Sequence, residues 1–158
     1  MKRLLMLLLV VLALPSDVNS EETNVYILKS NLSKTLYREG KFSEMIKICE
    51  ELVEISPENP DGYLCKGVSL GFARKNERKS REALKNFTKA VELDPELYEA
   101  YFLRGVLQFS MRRREFSKLQ TRGCSDIRKA YLNNFAPALE YVKKNKSFLM
   151  KNKCSSFF

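Results

Sequence analysis

The residue types that usually carry enzyme chemistry are scarce in this chain. The 158 residues include no histidine, which excludes imidazole-based catalytic triads, Cys-His dyads and histidine-ligated zinc sites. A glycine-rich phosphate loop and a serine nucleophile elbow are also missing from the sequence. Catalysis would have to use carboxylates, lysines or thiols, and no pair of these stands apart from ordinary helix-surface charge. We therefore expect a protein without enzymatic activity that needs neither a cofactor nor a metal.

The thiols are the remaining reactive groups, and the chain has four: Cys49, Cys65, Cys124 and Cys154. An even number predicts disulfides if the chain reaches an oxidising compartment. Neighbourhood along the chain favours Cys124 with Cys154 and Cys49 with Cys65. The alternative for the second pair is that both side chains stay reduced in the core, because both fall on apolar helical stripes. No CxxC spacing occurs, which argues against a redox enzyme or a thiolate zinc site.

The first twenty residues have the pattern of a signal peptide. Lys2 and Arg3 precede eleven apolar residues at positions 4–14. This run is too short for a transmembrane helix, which needs about 20 residues. The polar stretch that follows ends in Val18-Asn19-Ser20, which predicts cleavage before Glu21. The alternatives are an uncleaved anchor or a buried helix. We predict a signal peptide at 1–20, a mature domain at 21–158, and a periplasmic or secreted location.

An internal repeat organises the middle of the chain. Positions 47–68 align without gaps on positions 85–106, and the two segments share eight identical residues. The identical pairs include Pro57 with Pro95, Tyr63 with Tyr101 and Gly67 with Gly105. Apolar residues recur at spacings of three and four, prolines fall between these stretches, and Gly40 lies where a first helix must end. The pattern predicts helices that alternate with short turns.

Two stretches of this repeat carry a family resemblance. Residues 83–95, ALKNFTKAVELDP, resemble the second helix and closing proline of a tetratricopeptide repeat, and residues 100–105 resemble its first helix, with a glycine where two helices approach closely. The resemblance covers about residues 30–137. It implies an all-α fold, an α-solenoid of about three helical hairpins with a C-terminal capping helix. The repeats would span about 25–58, 59–96 and 97–136, with the cap and tail at 137–158.

Departures from the family pattern are also present. Met45 replaces a small alanine in the first repeat. The repeat is also longer than the family's usual period of about 34 residues. Residues 123–130, GCSDIRKA, are similar to endings of small exported bacterial repeat proteins, which favours a periplasmic location.

The resemblance further implies a concave groove lined by the first helix of each repeat. Its floor would comprise Tyr37, Leu64, Val68, Phe72, Phe102, Val106 and Phe109. An apolar, aromatic floor favours a peptide or helix of an unknown protein partner. The lysine and asparagine clamp of chaperone-associated family members is not matched, because Cys65, Glu99 and Leu103 occupy its positions. The alternative is that the floor residues are core, covered by neighbouring helices or by the tail at 155–158.

The extra residues inside the repeats are rich in positive charge and form what we term the basic edge. It comprises Arg74, Lys75, Arg78, Lys79, Arg81, Arg112, Arg113, Arg114, Lys118 and Arg122. In a chain of net charge +9, this edge supports an alternative function, a scaffold attached to an anionic surface such as envelope polysaccharide or lipid headgroups. Glu77, Glu82 and Glu115 interrupt the edge, which favours ordinary solvated charge. Export argues against nucleic acid as a partner.

Overall fold

The computed structural model describes residues 17–73, 76–111, 116–151 and 154. These ranges form eight helices: α1 (Asp17–Arg38), α2 (Phe42–Ile55), α3 (Pro60–Phe72), α4 (Glu77–Leu93), α5 (Tyr98–Ser110), α6 (Phe116–Leu132), α7 (Ala136–Lys144) and α8 (Lys146–Lys151). The predicted all-α class is confirmed. Most of the predicted signal peptide, including its apolar run, lies outside the described residues. Within the described ranges, no helix combines the length and the apolar character that crossing a bilayer requires.

The first six helices form three hairpins stacked in chain order. α1 packs on α2, α3 on α4 and α5 on α6, while the second helix of each hairpin contacts the first helix of the next element. Each hairpin therefore buries its apolar stripe mainly against its neighbours along the chain, which is the arrangement of a solenoid. The predicted α-solenoid is confirmed, and α7 continues the stack after α6.

Residues at the turns fix where the helices begin and end. Gly40 adopts a φ of 70°, a left-handed conformation that suits glycine, and so ends α1 as predicted. The side chain of Asn59 accepts a hydrogen bond from the backbone N–H of Asp61, and Pro60 opens α3. Asn76 caps α4 in the same way through the backbone N–H of Lys79, at 2.8 Å. The first cap fixes the start of α3, which with α1 contributes most of the residues of the groove described below.

Two glycines permit the close contact within the second and third hairpins. A Cβ atom on Gly67 would lie 2.6 Å from the ring of Phe87, and one on Gly105 would lie 2.7 Å from Cγ1 of Ile127. Real Cβ atoms do not approach other atoms this closely, so any larger residue would push the helices apart. The close approach that the family resemblance implied at Gly105 is confirmed, and Gly67 makes the equivalent approach in the hairpin before.

The aromatic residues of the repeat occupy equivalent settings. The ammonium group of Lys89 lies over the ring of Tyr63 at 5.9 Å from its centroid, and that of Lys129 lies over Tyr101 at 4.0 Å. Ala90 and Ala130 are fully buried at matching positions of α4 and α6. The repeat seen in the sequence is therefore a repeat in three dimensions.

A buried ion pair holds the third hairpin together, and its arginine also reaches the second hairpin. Arg104 of α5 donates two hydrogen bonds to the carboxylate of Asp126 on α6, at 2.7 and 2.8 Å, and a third at 3.2 Å to Thr88 on α4. The two charged side chains are only 16% and 11% exposed. Burial alone would lower the pKa of Arg104, but the hydrogen bonds and charge of Asp126 outweigh it, so the pKa rises. The bidentate pair fixes α5 against α6, and the hydrogen bond to Thr88 links α5 to α4.

Candidate functional site

An open groove with a cavity volume of about 530 Å³ is lined by α1, α2, α3 and the start of α5. Four of the predicted floor residues line it: Tyr37, Leu64, Val68 and Phe72. The other lining residues are Ser30, Ser33, Lys34, Arg38, Met45, Leu52, Asp61, Cys65, Glu99 and Leu103. Apolar side chains form the middle of this surface, and charged side chains come from three different helices.

Aromatic rings form one end of the groove. Tyr37 and Phe72 meet edge to face with their ring centroids 6.0 Å apart, although they are 45% and 54% exposed. Phe42 stacks on Phe72 at 5.6 Å and also contacts Tyr37 at 6.0 Å, so the rings hold one another in place. Large exposed apolar side chains that form a contiguous patch mark an interaction surface.

The floor between the ends rests on a packed core. Leu64 and Val68 of α3 pack with Leu36 of α1, Met45 of α2 and Leu103 of α5. This cluster joins all three hairpins. The structure pairs Cys49 of α2 with Cys65 of α3, with Cα atoms 5.5 Å apart. Since Cys65 itself lines the groove, this link ties the floor to the helix behind it.

Contacts at both ends show that α1 and α3 run in the same direction beside the groove. At the start of α3, Asp61 is close enough to Tyr26 of α1 for its negative charge to add to the effect of burial on the pKa of Tyr26. About three turns further along both helices, the ring of Tyr37 contacts the ring of Phe72. Asp61 and Glu99 lie in the first turns of α3 and α5, at the opposite end from the aromatic rings. Lys34 and Arg38 come from the second half of α1, towards the ring end. The groove thus has an acidic end and a basic end.

The acidic end concentrates negative charge. Partial removal from water raises the pKa of Glu99, and the nearby charge of Asp61 raises it further. Burial and the same Asp61 carboxylate raise the pKa of Tyr26 to about 12. Among the described residues, neither Asp61 nor Glu99 forms an ion pair, and the buried hydroxyl of Tyr26 has no hydrogen-bond partner. The described part of the chain therefore supplies no cation to balance these carboxylates.

The other three predicted floor residues lie elsewhere. Phe102 packs against Phe135 and Tyr141 with centroid distances of 5.8 and 5.6 Å, and Phe109 packs against Phe148 at 5.8 Å. Val106 belongs to the same cluster. Helices α7 and α8 therefore cover this part of the surface, as in the core alternative. The tail at 155–158 lies outside the described residues.

The second cysteine pair holds this cover in place. Cys124 of α6 is bonded to Cys154, with Cα atoms 5.4 Å apart, and both side chains are buried. Leu149 of α8 is fully buried in the same cluster. The chain after α7 is thus fastened to the third hairpin at a residue beyond α8.

Much of the basic edge lies outside the described residues, namely Arg74, Lys75, Arg112, Arg113 and Arg114. Of the rest, Arg78, Lys79 and Arg81 lie at the start of α4, Lys118 lies in α6, and Arg122 of α6 is exposed. Arg81 forms an ion pair with Glu77 of its own helix at 2.6 Å. Attachment through this edge stays a prediction. Within the described ranges, no group of three residues could hold a metal ion.

Sequence reasoning placed Glu99 at a clamp position of the groove but missed Asp61, Lys34 and Arg38, although a signal for Asp61 exists. Leu64, Val68 and Phe72 of the predicted floor follow one another at helical spacing, and Asp61 lies one turn before Leu64 on the same face of the helix. Asp61 and Glu99 are also equivalent positions of the internal repeat, in the same way as Tyr63 and Tyr101. Equivalent positions of adjacent repeats lie side by side in a solenoid, and the repeat therefore predicts that the two carboxylates are neighbours.

A comparison with protein families decides the nature of the first hairpin. Residues 28–59 match the family model described as tetratricopeptide repeat. This segment is similar to one tetratricopeptide repeat. The match takes in the second half of α1 and all of α2, and it contains Tyr37 of the groove and the adjoining ring of Phe42.

A solved structure of similar fold covers most of the chain. It is the second tetratricopeptide domain of Spaghetti (RPAP3), bound to the HSP90 peptide SRMEEVD. The TM-score is 0.58 with 19% sequence identity, over 72% of this chain and 97% of that one. At this identity the likeness shows the fold alone. A search of curated proteins found no match.

Proposed function

We propose that this tetratricopeptide-repeat protein is a non-enzymatic binding module that holds a peptide or helix of another protein in the groove. One observation carries the proposal: Tyr37 and Phe72 stay about half exposed while fixed against each other and against Phe42 above an apolar floor. The tetratricopeptide domain of similar fold binds a peptide, which supports the same role here.

Docking by this groove requires little rearrangement of the protein. The rings hold one another, and the link between Cys49 and Cys65 ties α3 to α2. A receptor that is already ordered loses little conformational entropy on binding, so more of the burial energy appears as affinity. An apolar side chain from the partner gains about 25 cal/mol for each Å² that it removes from water. We expect the partner to place such a side chain beside Phe72.

We further propose that the protein works outside the cytoplasm, in a periplasm or as a secreted protein. The basic start and short apolar run of residues 1–20 support this location, and so do two cysteine pairs close enough to bond. The intact mass of the protein from its native host tests the proposal. A mass that matches a chain starting near Glu21 with no alkylatable thiol supports export, and a full-length chain with four free thiols contradicts it.

Site-specific photocrosslinking tests the binding function directly. A photoreactive amino acid in place of Phe72 should crosslink one recurrent polypeptide in the native compartment, and the crosslinked segment identifies the peptide. Leu132, which is 61% exposed on α6, provides the control position for nonspecific capture.

The identified peptide then permits a quantitative test. Tyr37→Ala with Phe72→Ala should weaken its binding at least 10-fold while the melting temperature stays within a few degrees, because both residues are about half exposed and lie outside the buried core. Leu132→Ala should change neither quantity. Unchanged affinity of the double variant would refute the groove as the binding site.

A further inference from the structure

The charges of the groove define the chemistry of the peptide that it accepts. We propose that the groove selects segments that carry a basic group at one end and an acidic group at the other, on either side of an apolar centre. This inference rests on the proposed peptide-binding function, and it adds which class of peptide binds.

The acidic end requires a cation that the described chain does not supply. Asp61 and Glu99 belong to different hairpins and converge on the groove, because they occupy the same position of the repeat. Neither of them has an ion-pair partner among the described residues. A lysine, an arginine or a free amino terminus of the ligand would offset the charge of both carboxylates. Burial is the main cause of the raised pKa of Glu99, and a bound cation would offset the second cause, the negative charge of Asp61.

The ring end has the opposite character. Lys34 and Arg38 are exposed on α1 beside Tyr37, and no other described residue pairs with either of them. An acidic side chain or a carboxyl terminus of the ligand would be attracted here, while its apolar side chains contact Phe72 and Val68. Complementary charge at both ends fixes the register of the bound segment and disfavours partners of the wrong pattern.

Helix geometry sets the spacing between the two charges. Tyr26 lies near Asp61, and Lys34 and Arg38 follow Tyr26 by two to three helical turns along the same helix. At about 1.5 Å per residue, the basic end lies about 12 to 18 Å from the acidic end. A helical ligand covers this distance with about 8 to 12 residues and an extended one with about 4 or 5.

A structural explanation for the two carboxylates also exists, and it supplies a control. Asp61 and Glu99 lie in first helical turns, where acidic side chains interact favourably with the helix dipole. Glu44 also lies in the first turn of its helix, α2, but it is exposed and does not line the groove. If the carboxylates only stabilise their helices, Glu99→Gln and Glu44→Gln will have the same effect on peptide binding, namely none.

The inference separates this protein from binders of purely acidic peptides. The net charge of +9 attracts any acidic peptide weakly and at long range, and salt screens that attraction. Inside the groove, however, Glu99 and Asp61 oppose an acidic ligand at one end. Peptides of the same composition but different charge order therefore distinguish the groove from the overall charge.

Three peptides of equal length, each acetylated, amidated and labelled with fluorescein, provide the test by fluorescence anisotropy at near-physiological salt. The first has two lysines at one end, two glutamates at the other, and alanine, leucine and phenylalanine between them. The second has the same composition with all four charges in the middle. The third has glutamates at both ends. We expect the first peptide to bind at least 10-fold more tightly than the other two.

Variants of the groove complete the experiment. Glu99→Gln should weaken the first peptide about 3-fold and Asp61→Asn with Glu99→Gln about 5-fold or more, while Lys34→Gln with Arg38→Gln gives a similar loss from the other end. Glu44→Gln should leave the affinity unchanged.

Equal binding of all three peptides, abolished by Tyr37→Ala with Phe72→Ala, would overturn the charge selection and leave the binding function intact. Binding of none of them would count against both proposals.

Discussion

Two glycines one helical turn apart in α3 give a sharp test of the stacked hairpins. A Cβ atom at Gly67 would lie 2.6 Å from two carbon atoms of the Phe87 ring, whereas one at Gly71 would meet nothing closer than the Cβ of Ala83 at 4.0 Å. Gly67→Ala therefore creates an overlap between α3 and α4, and Gly71→Ala does not. The second variant is a matched control, because it makes the same chemical change in the same helix.

The expected energies follow from two opposing effects. Alanine in place of a helical glycine stabilises by about 0.5 to 1 kcal/mol, because it restricts the unfolded chain. Overpacking a core typically costs about 1 to 3 kcal/mol, and Phe87, which the new methyl group would contact, is only 2% exposed. We expect Gly71→Ala to stabilise by about 0.5 kcal/mol and Gly67→Ala to destabilise by about 1 to 2 kcal/mol.

Thermal and urea unfolding, followed by far-ultraviolet circular dichroism, measures the difference. For a chain of this length, about 1 kcal/mol shifts the melting temperature by about 4 °C, so the two variants should differ by about 8 °C. Gly105→Ala should cost more than Gly67→Ala, because its Cβ would also lie 2.8 Å from the backbone oxygen of Gly123. Equal stabilisation by Gly67→Ala and Gly71→Ala would refute the close packing of α3 on α4.

Three further predictions follow from other contacts. Replacing Cys124 and Cys154 together by serine opens a loop with a sequence separation of 30, so unfolding in urea should show a loss of about 3.6 kcal/mol, and a dye that binds exposed apolar surface should become fluorescent. Asp126→Ala leaves a buried arginine without its partner and should cost about 3 kcal/mol or more in the same assay, whereas Glu140→Ala breaks an exposed pair and should have little effect. Glu99 has a raised pKa and must be charged to hold a cation. Binding of the first peptide, with lysines at one end and glutamates at the other, should therefore be strongest above that pKa and weaken as the pH falls through it. A titration from neutral to acidic pH should show that Glu99→Gln reduces this weakening.

Local patterns in the sequence were sufficient to predict the helices and their order. The left-handed conformation of Gly40 and the buried stripe of Ala83, Phe87 and Ala90 depend on neighbours within one or two turns. Gly67 and Gly105 were readable as well, since a repeat with glycine at one position implies close packing at that position. Helix ends and apolar stripes are predicted from nearby residues, and the glycine contacts are predicted from the internal repeat.

The extent of the groove could not be predicted in this way. Leu64, Val68 and Phe72 in the second hairpin and Phe102, Val106 and Phe109 in the third have a similar periodicity, yet only the first set lines the groove. The difference arises from α7 and α8, which pack on the third hairpin. An apolar stripe shows that something must cover it, but the stripe does not identify what does so.

The fastening of Cys154 to α6 also has a consequence for assembly. Solenoids grow by adding hairpins to an apolar end, and two copies can join when such ends meet. Here α7 and α8 cover the apolar face of the third hairpin, and the bond between Cys154 and Cys124 fastens the chain beyond α8 to α6. Another copy therefore cannot stack directly on that face while this cover is in place.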